Sequence, residues 1–193
     1  MLSITDIDAM IAPGRYSPRF GWHDNHREAD GTADYLPALM QVRSEFERLL
    51  EVINSTGVSR SRCLQLGLGH CRASHDVWNA IFDDGAVTID YGACLIGGEG
   101  DLPGADTGST RALGLASRYA RYGMLIIDAG HTYADVERDH RDYAPLVHPG
   151  GVIAFHDATH RPQFKELDVW KYLETLPDIQ MIVGEVGWGY LLV

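Results

Sequence analysis

Hydrophobic positions along this chain fall into short runs and spaced stripes that predict alternating strands and helices. Met124 to Ile127 is a continuous apolar run, too short and too β-branched for a helix, and it stops at Asp128. Val152 to Phe155 is a second such run, ending at His156-Asp157. Between them Tyr133, Val136, His140, Tyr143 and Ala144 recur at near-helical spacing, and Pro145, Pro149 and Gly150-Gly151 close that helix. Strand, crossover helix and strand make a right-handed βαβ unit, so Asp128 and His156-Asp157 should emerge at one sheet edge. Ligands of open α/β sheets bind beyond that edge.

The rest of the pattern fits the same architecture. Leu39, Val42, Phe46, Leu49, Leu50 and Ile53 mark one face of a helix over about 38–55, closed by Gly57. A first strand over 62–66 leads into Gly67-Leu68-Gly69, and Val77, Ala80 and Ile81 lie on the helix that follows. A second strand, Ala86 to Ile89, ends at Asp90. Residues 91–110 are glycine-rich and hold a short third strand at 93–96; Ser109 or Thr110 caps a helix running to Arg121. A helix around 164–176 precedes two strands, 179–183 and 189–193, whose short connection predicts an antiparallel hairpin. Residues 1–37 read as an irregular arm packed over the domain or a second subunit, or as a lid carrying Trp22, His23 and His26. Asp135, Glu137, Arg138, Asp139, Arg141 and Asp142 read as the solvated face of the crossover helix, His140 and His148 as surface residues, and Trp170, Tyr172 and Leu173 as core.

Composition narrows the function classes. A chain of 193 residues with 45% hydrophobic residues suits one domain with a real core, here 1–193 with the core over 38–193. A formal charge of -11 and no Lys/Arg cluster exclude nucleic acid as the expected partner. Cys63, Cys71 and Cys94 lack metal-type spacing and read as reduced thiols, which points to the cytoplasm. No stretch resembles a signal peptide or approaches the ~20 apolar residues of a membrane span, so no membrane partner is expected.

A glycine turn between a buried strand and a helix brings backbone N–H groups up to a ligand. An acid about 20 residues beyond such a turn, here Asp90, can accept both ribose hydroxyls of an adenosine. These residues, with Leu64-Gln65-Leu66-Gly67-Leu68-Gly69, Ile127-Asp128-Ala129-Gly130-His131-Thr132-Tyr133 and Gly150-Gly151-Val152-Ile153-Ala154-Phe155-His156-Asp157, resemble a class I S-adenosylmethionine-dependent methyltransferase. More narrowly the pattern resembles the small "IDGxHxY … GGxxxxHD" group, related to macrocin-type and cephalosporin-biosynthesis O-methyltransferases and more distantly to catechol-type ones. The match covers roughly residues 60–160. It implies an α/β, Rossmann-like three-layer sandwich with a seven-stranded, mostly parallel sheet and an antiparallel C-terminal strand. The expected sheet has six parallel strands, with 189–193 reversed at or near one edge.

The resemblance also implies roles. Gly67 and Gly69 would lie under the methionine part of S-adenosylmethionine, with Gln65 at the end of the first strand; Asp90 would hold the ribose, and Ser109 falls near the adenine. Asp128 would serve cofactor, catalysis and metal alike, with Asp128, His156 and Asp157 as the ligands of Mg²⁺ or another divalent ion. Carboxylates with water suit Mg²⁺ or Mn²⁺, and a histidine shifts preference toward a transition metal. Two facing carboxylates repel unless a proton, a basic group or a cation intervenes. The alternative is that one carboxylate caps the helix at 131–133 and the other bonds the acceptor or a histidine. His131 would take the proton of a small-molecule hydroxyl. The chain departs from the family pattern at Gln65, usually acidic, at Cys71, usually the third glycine, and at Ala129. Three rival readings remain: a nicotinamide oxidoreductase, against which Arg72 crowds the pyrophosphate turn; a metal hydrolase using Asp128, His131, His156, Asp157 and His160; and a non-catalytic Rossmann-like module. A homo-oligomer is the expected assembly.

Overall fold

The computed structural model describes residues 3–11, 35–36, 39–69, 71–97 and 101–193. The helix α1 (Ile4–Met10) is closed by a reciprocal cap, in which Ser3 Oγ accepts from Asp6 N and Asp6 Oδ2 accepts from Ser3 N. Ile7 on α1 is fully buried, and Asp8 takes both arms of Arg43 at 2.8 and 2.5 Å. The arm is therefore helical over part of the stretch expected to be irregular. The rest of it, with Trp22, His23 and His26, lies outside the described residues. β1 (Tyr35–Leu36) pairs with β2 (Gln41–Val42), which delays α2 (Arg43–Ser55) from the expected start near residue 38. Phe46, Leu49, Leu50 and Ile53 make the buried face of α2.

β3 (Cys63–Leu66), α3 (Ala73–Ile81) and β4 (Ala86–Ile89) follow, then β5 (Ala93–Ile96), β6 (Leu102–Pro103) and α4 (Thr110–Ser117). The central unit is β7 (Tyr122–Ile127), α5 (Tyr133–Tyr143) and β8 (Val147–His156); α6 (Val169–Leu173), β9 (Gln180–Ile182) and β10 (Trp188–Leu192) complete the chain. Among the described residues eight strands form one sheet in the order β6-β5-β4-β3-β7-β8-β10-β9. β4, β3, β7 and β8 are parallel, and β10 runs antiparallel between β8 and β9.

The Rossmann-like mixed sheet agrees with the sequence reading, but its strand details do not. Ala93–Ile96, expected to be parallel, is antiparallel to β4. Only Asp90, Tyr91 and Gly92 separate the two strands, too few for a crossover, which needs a dozen residues or more. β6 is an additional strand pairing with β5, so the sheet has eight strands rather than seven. The helix expected over 164–176 contracts to α6, leaving Phe164 in the preceding loop.

The core divides along the sheet. One face packs α2 and α3 over Cys63, Met124, Ile126, Val152 and Ala154. The other packs α4, α5 and α6 over Leu64, Leu66, Leu125, Ile127, Ile153 and Phe155. The strands β3, β7 and most of β8 are buried on both faces, which is why they read as unbroken apolar runs. Because α3 and α5 lie on opposite faces, the chain reverses its winding between β3 and β7, and a crevice opens there at the carboxyl edge. Asp139, expected on the solvated face of α5, is fully buried between Thr107 (2.9 Å) and Arg138 (2.9 Å). His140 is likewise half-buried, with Nδ1 2.6 Å from the Tyr172 hydroxyl.

Candidate active site

The crevice between β3 and β7 is shaped by Gly67. Its φ is +90°, and a Cβ there would stand 2.0 Å from the Asp128 carbonyl oxygen, so only glycine fits this close approach. Gly67 N donates to Ile89 O (2.8 Å) and Asp128 N to Leu66 O (2.9 Å), which binds the ends of β3, β4 and β7 together. Gln65 supports the turn from below: its amide donates to Ser74 Oγ (2.9 Å), and Ser74 Oγ donates to Leu68 O (3.2 Å). Thr88 Oγ1 donates to Gln65 Oε1 (3.2 Å) and contacts His75 Nδ1 (2.9 Å), while His75 Nε2 lies 3.3 Å from Gly97 O. A neutral amide inside a hydrogen-bonded network therefore stands where the family pattern has a carboxylate. Asp90 faces the same turn, its two oxygens accepting from Leu68 N (3.0 Å) and Gly92 N (2.7 Å). A carboxylate has about four acceptor positions, so Asp90 retains capacity for ligand hydroxyls.

The second half of the site follows from strand periodicity. Ile127 lies opposite Phe155, so Asp128 and His156 are the next neighbours and point to the α2/α3 face. His156 Nδ1 sits 3.0 Å from Asp128 Oδ1. Strict alternation would send Asp157 to the other face, but its φ of +56° is left-handed and turns the carboxylate back into the cluster. Such a conformation is costly for a residue with a Cβ and often marks a functional position. His131, on the turn between β7 and α5, places Nε2 3.0 Å from Asp157 Oδ2 and 3.6 Å from Asp128 Oδ1. Burial acts to raise the Asp128 pKa; the charge and hydrogen bonds of His156 and His131 outweigh it and hold the carboxyl well below the usual range.

A cavity of about 240 Å³ connects the two halves. Gln65, Leu68, Gly69 and Ser74 line one end, Asp128, His131, Asp157 and Arg161 the other, with Phe46, Trp78, Ile126 and Trp188 among the apolar walls. Of the residues proposed from sequence, Gln65, Gly69, Asp128, His131, His156 and Asp157 thus share one space. Gly67, Asp90 and Ser109 do not line it; the Ser109 hydroxyl donates to Asp106 O (2.6 Å) and accepts from Ala112 N as the cap of α4 (3.2 Å). Asp128, His131 and Asp157 each offer a ligand atom within 4.8 Å of the others, a donor set suited to a divalent cation. His156 stands beside that group, 5% exposed, its ring against Trp188 at 4.7 Å and its Nε2 without a hydrogen-bond partner among the described residues. Sequence reasoning did not single out Arg161 or Trp188. Trp188 falls in the connection just before the strand expected at 189–193, whereas in the structure it opens β10 beside β8.

Comparison with known proteins bears out the resemblance read from the sequence. A family model described as a methyltransferase domain matches residues 101–158. No curated protein matches the chain in sequence. Among solved structures, the MycE methyltransferase of mycinamycin biosynthesis, in complex with Mg, SAH and mycinamycin VI, is 18% identical with a TM-score of 0.54. That alignment covers 75% of this chain and 47% of MycE, so the chain spans about half the length of that protein. The apo TDP-rhamnose 3′-O-methyltransferase of calicheamicin biosynthesis gives 14% identity and a TM-score of 0.52, covering 80% of this chain and 82% of its own. The O-methyltransferase TomG from Streptomyces achromogenes, in complex with SAM, gives 18% and 0.50, covering 82% and 83%. The fold is thus that of the Rossmann-like class I methyltransferases. Among the described residues no helix is long and apolar enough to cross a membrane.

Proposed function

We propose that this chain transfers the methyl group of S-adenosylmethionine to a hydroxyl of a small molecule. The observation that carries this reading is the meeting of Asp128, His131 and Asp157 with the glycine turn around one cavity at the β3/β7 crevice. Gly69 lines the cavity where the methionine end of the cofactor would lie, Gly67 lets the turn close against Asp128, and Gln65, through Ser74 and Leu68 O, keeps that turn in place. Asp90, with acceptor capacity left beside its two backbone bonds, takes the ribose hydroxyls, and Ser109, the cap of α4, is left out of the cofactor site. When bound, the cofactor would supply an electrophilic methyl group, and His131 Nε2 takes the proton of the acceptor hydroxyl. Asp157 Oδ2, 3.0 Å from that nitrogen, is placed to accept its hydrogen bond once the proton has arrived.

Asp128, Asp157 and a histidine would hold a divalent ion: His156 where His131 serves as the base, or His131 itself, in which case the ion takes over the activation of the hydroxyl. Such an ion would lower the cost of removing the acceptor's proton. The MycE structure, a natural-product enzyme carrying Mg and SAH, supports this reading. The TDP-rhamnose and SAM-bound neighbours support methyl transfer to a hydroxyl. The three buried cysteines accord with a cytoplasmic setting, and we infer a homo-oligomer in solution.

The test is calorimetry with S-adenosylhomocysteine and, separately, NAD, followed by methyl transfer to a panel of sugar and catechol-like acceptors with and without EDTA. Binding of S-adenosylhomocysteine alone and turnover of one acceptor class are expected. Binding of neither ligand would leave a non-catalytic module. Binding of NAD alone would select the oxidoreductase.

A further inference from the structure

We propose that Arg161 is a resident counter-ion for Asp157, competing with a divalent cation for that carboxylate and setting how tightly the cluster holds one. The proposal rests on the reading above for the identity of the site but concerns only the cation.

Among the described residues lining the cavity, Arg161 is the only arginine or lysine. Its Nη2 pairs with Asp157 Oδ1 in a short contact, while Asp157 Oδ2 faces His131 Nε2 at 3.0 Å and His156 Nδ1 at 3.5 Å. The Asp157 carboxylate is thus shared between a fixed cation and the group whose ligand atoms converge. Both side chains are largely buried, at 13% and 12% exposure, where charges are screened far less than at a surface. The guanidinium is also held in place. Its Cζ lies 5.1 Å from the centre of the Phe164 ring, a cation–π geometry. The backbone leading to it is pinned to the β9–β10 turn, by Thr159 N to Val186 O (2.8 Å) and Ala158 N to Gly187 O (3.2 Å).

A divalent ion bound by Asp128, His131 and Asp157 would meet this fixed positive charge, and one oxygen of Asp157 would already be engaged. Either the arginine swings away or the ion binds against it. In both cases the intrinsic affinity of the cluster is reduced by the arginine, and the two aspartates remain partly neutralised when no ion is bound.

The experiment is calorimetric titration of the full chain with Mn²⁺ alone, for the wild type, Arg161→Met and Arg161→Lys. Removing the charge should tighten Mn²⁺ binding by about tenfold or more, and lysine, which keeps the charge, should stay near the wild type. Asp128→Asn in the Arg161→Met background should abolish the gain, which places the ion in this cluster. Should Arg161→Met fail to fold, Arg161→Gln, which keeps a donor for Asp157, serves the same comparison. Equal affinity with and without the arginine overturns the proposal. A gain in Arg161→Lys as large as in Arg161→Met, a gain that survives Asp128→Asn, or no Mn²⁺ binding in any variant overturns it too. Titration of the same wild-type protein with S-adenosylhomocysteine tests methyl transfer separately, so either idea can fail while the other stands.

Discussion

Replacing Glu45 with alanine should loosen the strand hairpin that supports the catalytic edge. Glu45 is 3% exposed on α2, and its two oxygens accept from Val186 N (3.2 Å) and Gly187 N (2.7 Å). The fit is tight, for a Cβ on Gly184 would lie 1.9 Å from Glu45 Oε1. The same turn accepts Thr159 N and Ala158 N, and Thr159 Oγ1 donates to Gly184 O (3.1 Å), so it carries the backbone between Asp157 and Arg161. Alanine would strand two buried N–H donors at roughly 1–3 kcal/mol each; water entering the vacated space should limit the total loss to about 2–4 kcal/mol. For a chain of this size that is a fall in Tm of roughly 5–15 °C. Glu45→Gln keeps one acceptor oxygen and should lose about half as much. Urea unfolding followed by tryptophan fluorescence measures the loss at constant m, and amide exchange should quicken at Val186 and Gly187. A change below about 0.5 kcal/mol for the alanine variant, with unaltered exchange at those two amides, would refute the argument.

Three further outcomes are expected. His131→Gln should lower kcat by about 10²–10⁴-fold while leaving S-adenosylhomocysteine affinity near the wild-type value; an unchanged kcat removes His131 as the base. Asp90→Ala should weaken S-adenosylhomocysteine binding by roughly 1.5–3 kcal/mol in a protein that still folds, and calorimetry showing equal affinity would take the ribose role from it. Burial lowers the pKa of His75 from its ordinary 6.5, so the folded state binds fewer protons than the unfolded one. The stability this contributes is present above pH 6.5 and is lost as pH falls below it, by at most about 1.4 kcal/mol per pH unit. Urea midpoints between pH 7.5 and 5.5 should therefore fall more steeply for wild type than for His75→Gln, and parallel slopes would contradict the assignment.

The parts of this molecule legible from sequence are those that period-2 and period-3.6 patterns determine. Met124–Ile127 and Val152–Phe155 are apolar on every position because both faces of β7 and β8 are covered, and their carboxyl ends meet because the crossover is right-handed. Where a short connection decides the direction of a strand, pattern alone misleads. Ala93–Ile96 looked like any buried strand, and the brevity of Asp90-Tyr91-Gly92 forced it antiparallel. Asp139 was illegible for another reason. A carboxylate on a charged helix reads as solvated until Thr107 and Arg138 are known to enclose it.

The candidate site shows the same division at the level of single dihedrals. Asp128 and His156 are neighbours because their strands are parallel and in register, and this follows from sequence once the βαβ unit is granted. Asp157 joins them for a different reason. Extended backbone would direct it away from His156, and the left-handed φ of +56° reverses it toward His131. Nothing in a His-Asp pair announces that reversal, because no glycine stands there to signal it. The conformation is sustained by what surrounds it: the arginine on one oxygen, the histidine on the other, and the hairpin turn gripping residues 158 and 159. Arg161 escapes a sequence reading on the same ground. Four residues after Asp157, it would suggest a helical pair, yet residues 158–161 are not helical and reach the carboxylate through a loop shaped by Gly184–Gly187. The chemistry of the edge therefore depends on two supports remote from it in the chain, Glu45 on α2 and the β9–β10 turn that Glu45 holds.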